Sequence, residues 1–282
     1  MEKNKKITIY GIILNSILFI AKLIVGLLSN SLAVLSDAFN SLTDIISSIG
    51  IFIAVKISHK RADQGHPFGH HRAEPIAGMI VAILAGILGF EILRTAIKNL
   101  FEQKVSSIGA AALIVLIITI IVKLFMAYYF TKQGTIRKSP AIKASGIDSR
   151  NDVLVTSIAI IGVLGSMYGY LIFDEIAAII ISFFIFYSGY RIGMENIDYL
   201  MGKSPSKEYI DKIKSIAIKV KGVNGINDVR AHYVGNFIHI EIHIEVNKNI
   251  STQRSHKIGK DVQHAVENLD DVDEAFVHVD PR

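Results

Sequence analysis

SLAVLSDAFNSLTDIISS, Ser31 to Ser48, is the stretch that decides the architecture, and it has a counterpart in SGIDSRNDVLVT, Ser145 to Thr156. Each lies in a segment apolar enough to span a bilayer, and each carries polar residues that hydrocarbon rejects. Asn40 and Asp44 are separated by one helical turn, as are Asp148 and Asp152. At 3.6 residues per turn, that spacing leaves the two side chains about 40° apart on one face. Asp37 lies two turns before Asp44 on nearly the same face, and Ser145 and Thr156 extend the second stripe. A carboxylate at the middle of a membrane helix costs roughly 2.5–3.5 kcal/mol on insertion scales, so Asp44, Asp148 and Asp152 together cost on the order of 10 kcal/mol if uncompensated. No Lys or Arg within either stretch is placed to offset them, since Arg150 points off the Asp148–Asp152 face. A divalent cation, or protons, is the expected compensation, which makes the two stretches the metal site of a transporter.

Composition agrees. Of 282 residues, 51% are hydrophobic and only 20% charged, and the mean hydropathy is +0.42. Such a chain is a polytopic membrane protein with a modest soluble part. The formal charge of +5 does not call for nucleic acid as a partner, because the basic residues gather in loops on one side of a membrane. The chain has no cysteine, so any metal is held by oxygen and nitrogen donors.

The apolar runs predict six spans: Ile7 to Leu28, Leu32 to Ile57, Ala73 to Leu100, Ile108 to Phe130, Ala144 to Tyr168 and Ile172 to Met201. The first, though it follows MEKNKK, lacks a cleavage signature and is expected to be a retained helix. A turn at Gln103–Ser107 joins the third and fourth spans, and a polar basic connection, Lys132 to Lys143, joins the fourth and fifth. Lys3, Lys5 and Lys6, the loop from Lys56 to Arg72, the Lys132–Lys143 connection and the C-terminal part all fall on one side. By the positive-inside rule both termini are cytoplasmic, in what is expected to be a bacterial inner (plasma) membrane.

Gly202-Lys203-Ser204-Pro205 ends the last helix. Beyond it, Tyr209 to Val220 has helical periodicity, Ile226 to Val234 follows two glycine turns, and FIHIEIHIEV, Phe237 to Val246, alternates as a strand. Ile238, Ile240, Ile242 and Ile244 face one way, and His239, Glu241, His243 and Glu245 the other. Ser251 to Leu269 is an amphipathic helix and Glu274 to Val279 a last strand. The expected fold class is an all-α six-helix transmembrane domain, residues 1–203, followed by a small cytoplasmic α+β ferredoxin-like domain (α-β-β-α-β), residues 204–282.

Two further clusters carry metal-binding residue types. The loop from Asp63 to His71, with His66 and His70 between them, offers a carboxylate and imidazoles in the manner of a surface zinc site. On the soluble part, His243, His278 and Asp280 sit on polar strand faces with His232 and His256 nearby, which suggests a regulatory metal site. Phosphate-binding glycine loops, nucleophile elbows and His-Glu-x-x-His helices are absent from the sequence, so an enzyme is not expected and no resident cofactor is implied.

Six spans, paired polar residues on the second and fifth, the loop DQGHPFGHHRAE and the terminal FVHVDP together resemble the cation diffusion facilitator family along nearly the whole chain. The resemblance implies a homodimer in the lipid bilayer that exports a divalent metal from the cytoplasm in exchange for protons, by alternating access. It implies Asn40, Asp44, Asp148 and Asp152 as the transport site, and Asp37 as a supporting or path residue. It implies Asp63, His66 and His70 as a loop site, and His243, His278 and Asp280, with His232 and His256, as a cytoplasmic-domain site. Zinc-type members usually place a His in the transport site, whereas the set here is all oxygen. That shifts the expected ion from Zn²⁺ toward the harder Mn²⁺. A Zn²⁺, Fe²⁺ or Cd²⁺ exporter of the same family is the alternative, and a divalent cation channel a more distant one.

Overall fold

The computed structural model describes residues 2–102, 110–136, 140–235 and 237–282. The expected turn at Gln103–Ser107, the start of the fourth span at Ile108, and residues 137–139 of the polar connection lie outside the described residues. Among the described residues, six helices are long and apolar enough to cross a membrane. They are α1 (Glu2–Ser29), α2 (Leu32–Ser58), α3 (Ala73–Glu102), α4 (Ala110–Ile136), α5 (Pro140–Met167) and α6 (Ile172–Leu200). The soluble part adds α7 (Lys207–Ala217), β1 (Gly225–Val234), β2 (Phe237–Val246), α8 (Thr252–Glu267) and β3 (Val272–Pro281). α5 starts earlier than its apolar run, at Pro140, whose fixed φ suits a first helical turn. β3 is longer at both ends than its apolar centre because the parallel ladder to β2 extends from Val272 to Pro281.

The chain divides into two compact units, Met1–Gly50 with Ile80–Gly193, and Ile51–Met79 with Met194–Arg282. In the first, small residues let backbones approach. A Cβ at Gly146 of α5 would meet the backbone nitrogen of Thr131 in α4 at 2.7 Å, and one at Gly162 would meet the Ala177 Cβ of α6 at 2.6 Å. Ala33, Ala85, Leu116, Ala159, Val163 and Ile181 are buried in the resulting core. Ile13, Ile17, Ile20 and Ile24 of α1 are exposed at helical spacing, as expected of a face that meets lipid.

The start of α2 is fixed by side chains. Asn30 adopts a left-handed φ of 50° that turns the chain. Ser31 then caps the helix, its Oγ accepting from the Val34 backbone N–H at 3.2 Å and donating to Asp174 Oδ1 at 2.5 Å. Asp174, from α6, also accepts from the Leu32 N–H at 2.7 Å. A carboxylate at a helix N-terminus satisfies orphan donors and complements the dipole, so the polar side chains of α2 are held at a defined rotation.

In the second unit, β1, β2 and β3 form a sheet in that order, β1 antiparallel and β3 parallel to β2. The parallel pair needs a crossover, and α8 supplies it. Ile238, Ile240, Ile242 and Ile244 pack with Ile213 and Ala217 of α7 and Ile258, Val262 and Val266 of α8. The polar face of β2 departs from simple alternation at its start, because His239 is buried. The loop after α2 covers it: Phe68 lies 6.4 Å from the His239 ring, and His71 lies 4.6 Å from Phe237.

Candidate metal centre

The α2 and α5 side chains meet as the helical spacing predicts, but not on their own. Asn40 Nδ2 donates to Asp152 Oδ1 at 3.0 Å, joining the two stretches directly. Asp152 Oδ2 accepts a close hydrogen bond from the ammonium of Lys123, a fully buried residue of α4. The same ammonium donates to Asn15 Oδ1 of α1 at 2.8 Å. Asp44 Oδ2 is buried and has no hydrogen-bond partner among the described residues. Such an oxygen is costly in a low-dielectric interior, and a cation is the partner that suits it. Asp148, one turn before Asp152, is exposed on the single chain. Two metal-capable groups are gathered within 4.8 Å among the described residues, and the intramembrane carboxylates are not drawn together in that way.

Asp37 is held differently. Lys22 of α1 pairs with its Oδ2 at 3.1 Å and donates to the Asp37 carbonyl at 2.9 Å and to Ser41 Oγ at 2.7 Å. Thr156 Oγ1 lies 3.1 Å from both carboxylate oxygens. An ammonium has three donors, and here all three have acceptors, so this is a closed ion pair between α1 and α2, braced from α5.

No Lys or Arg within the two acid-bearing stretches offsets the acids, but Lys22 and Lys123 reach across from α1 and α4, a compensation that the sequence reading did not include. The available signal was a lone lysine in each of two otherwise apolar runs, FIAKLIV and IIVKLFM. Intramembrane lysines are as costly as carboxylates and imply a partner.

In the loop, Asp63 Oδ1 is 3.4 Å from His66 Nδ1, and its Oδ2 is 3.4 Å from His70 Nε2. These separations are close to the roughly 3.3 Å edge between ligand atoms of a tetrahedral zinc site with bonds near 2.0 Å. Lys60 hydrogen-bonds Asp63 Oδ2 at 2.9 Å. That bond, helped by the His66 backbone N–H, holds the carboxyl below the usual range and keeps it ionised. On the sheet, the parallel register sets His243 beside His278. Asp280 lies 3.1 Å from His278 Nε2 and 3.8 Å from His243 Nδ1.

The other two expected members are elsewhere. His256 is exposed on α8. His232 packs against His239, ring centroids 5.9 Å apart, and burial with the neighbouring His239 and Arg72 lowers its pKa. An unforeseen contact lies next to it. Asp273 Oδ2 is 3.1 Å from His239 Nε2 and 3.5 Å from His71 Nε2, tying the loop to the sheet.

Comparison with known proteins bears on the whole chain. The cation efflux transmembrane domain matches residues 8–201, and the cation efflux protein cytoplasmic domain matches residues 205–282. The chain is 35% identical to the uncharacterized transporter MJ0449 of Methanocaldococcus jannaschii over 280 residues, covering 99% of each. It is 31% identical to the manganese efflux system protein MneP of Bacillus subtilis, over 99% of this chain and 96% of that one. With MneS of the same organism it shares 27% identity over 100% of this chain and 97% of that one. With six helices among the described residues long and apolar enough to cross a membrane, and its two domains matched in order, the chain belongs to the cation efflux family and is an integral-membrane transporter of divalent metal cations.

Proposed function

We propose that the protein exports Mn²⁺ from the cytoplasm in exchange for protons, working as a homodimer by alternating access. Residues 1–203 carry transport and residues 204–282 serve dimerisation and metal-dependent regulation. Asn40, Asp44, Asp148 and Asp152 hold the transported ion. Asp63, His66 and His70 form an accessory loop site, and His243, His278 and Asp280 a regulatory one. Both termini are cytoplasmic, which the one-sided distribution of Lys and Arg supports. The observation that carries this reading is the buried, unpartnered Asp44 Oδ2 within an all-oxygen donor set. Manganese accepts oxygen ligands and retained water, whereas zinc gains more from imidazole. The names of MneP and MneS, manganese efflux proteins, favour the same ion.

Carboxylates brought together in a low-dielectric gap accept either a metal ion or protons, which is the requirement for exchange. The test is competitive Mn²⁺ and Zn²⁺ uptake into proteoliposomes under an imposed proton gradient. Asn40→His is expected to raise zinc transport relative to manganese by about tenfold, an added imidazole ligand contributing on the order of 1.4 kcal/mol in zinc's favour. A parent protein that prefers zinc, or uptake indifferent to the proton gradient, would overturn the assignment.

A further inference from the structure

We propose that Lys123 is a tethered cation that shares Asp152 with the transported metal and sets the charge the site accepts. The inference rests on the reading of Asn40, Asp44, Asp148 and Asp152 as the transport site. Its basis is that both oxygens of Asp152 are engaged, Oδ1 by the Asn40 amide and Oδ2 by the Lys123 ammonium. An ammonium hydrogen-bonded to Asp152 Oδ2 repels a metal ion at the same carboxylate and draws off its charge, so Asp152 is a weak ligand while Lys123 stays in place. Asp152 becomes a full-strength ligand when Lys123 withdraws or when Asn40 turns its amide oxygen inward.

The surroundings favour withdrawal of the lysine. The second acceptor of Lys123 is Asn15 on α1, outside the helices that carry the ligands, at 2.8 Å. Lys123 therefore keeps a hydrogen bond when it leaves Asp152. Lys22 offers a contrast, since its three acceptors lie on Asp37 and Ser41 and it has no role to hand over. Asn15 and Lys22 are two turns apart on one face of α1, so this helix presents an acceptor for one lysine and the ammonium of the other.

Charge counting gives the same answer. Asp37 and Lys22 cancel. Asp44, Asp148 and Asp152 against Lys123 alone leave two negative charges, which one divalent ion neutralises; Arg191, also exposed, acts on the exposed Asp148 from outside this set. Without Lys123 the loaded site would keep a negative charge in a poorly solvated place. A monovalent ion leaves the site negative and a trivalent ion leaves it positive, both unfavourable at low dielectric. Lys123 thus selects for valence, while the oxygen ligands select among divalent ions.

The test uses the full chain in detergent. Mn²⁺ binding is measured by calorimetry, and the binding that disappears in Asp152→Ala is taken as the transport site. Lys123→Gln is expected to tighten that binding by about tenfold or more and to slow Mn²⁺ flux in proteoliposomes, because the cation that helps displace the metal is gone. Asn15→Asp draws the ammonium off Asp152 and should also tighten binding. Asn15→Leu confines it to Asp152 and should weaken binding by a similar factor. The Asn15 pair decides the matter should Lys123→Gln fail to yield folded protein, since a merely structural role would not move the two variants in opposite directions. Wild-type affinity in both Asn15 variants, or shifts of the same sign, would overturn the proposal for Lys123 alone. Undiminished Mn²⁺ binding in Asp152→Ala would overturn the transport-site reading, and this proposal with it.

Discussion

Asp44 and Asp152 are chemically identical and differ in who faces them. Asp152 meets an amide and an ammonium, while Asp44 has a buried oxygen without a partner among the described residues. Substituting either should abolish Mn²⁺ uptake, because each removes a charge of the proposed transport site. The stability effects should diverge. Asp152→Ala strands the Lys123 ammonium in a buried place, which costs on the order of 3–5 kcal/mol. Asp44→Ala removes a carboxylate with a buried oxygen that lacks a hydrogen-bond partner among the described residues, and should leave stability unchanged or improved. Thermal unfolding of both purified variants checks this, and equal losses would show that the ion pair is not holding the helices. The four ligand candidates were legible in the sequence because helical spacing puts each pair on one face. The lysines were not, because nothing in a one-dimensional pattern states which neighbouring helix faces which.

At the scale of elements, the rotation of α2 decides which of its side chains meet α5, and that rotation is fixed at its start. Asp174 reaches from α6 to Ser31 and to the Leu32 N–H. Asp174→Ala leaves those donors unpaired and should destabilise the bundle by roughly 1–2 kcal/mol, as the loss of a helix cap does. Because the cap orients the ligand helix, Mn²⁺ uptake should fall more than stability alone explains, and Asp174→Asn should restore part of it. Unchanged uptake in Asp174→Ala would separate the cap from the site. The sequence placed Asp174 at the start of the sixth span and could not show its reach, since the contact links positions far apart in the chain. The isoleucine face of β2 was legible from period-two alternation. The burial of His239 was not, since it depends on a loop whose sequence looks polar and exposed.

At the scale of the molecule, the segment Ile51–Met79 belongs with the soluble part rather than with the rest of the bundle. Removing residues after Ser204 would therefore take away Phe237 and Asp273, the partners of His71, and point substitutions are the cleaner probe of regulation. A metal bound at His243, His278 and Asp280 stabilises the folded unit by about 2.7 kcal/mol at a hundredfold excess over its Kd. Asp280→Ala should erase that metal-dependent rise in Tm while leaving intact the Mn²⁺ binding that depends on Asp152. A rise that persists in Asp280→Ala would place the stabilising metal elsewhere. The buried lysine beside Asp152 also bears on the membrane potential. A loaded site holding three carboxylates, one ammonium and a divalent ion is electrically neutral, so it can cross the field without work. The same site without metal or protons carries two negative charges, each worth about 2.3 kcal/mol per 100 mV if moved across the whole membrane. Under the proposed exchange, voltage acts on the return stroke rather than on the export stroke, and protonation of the carboxylates makes that return electrically silent.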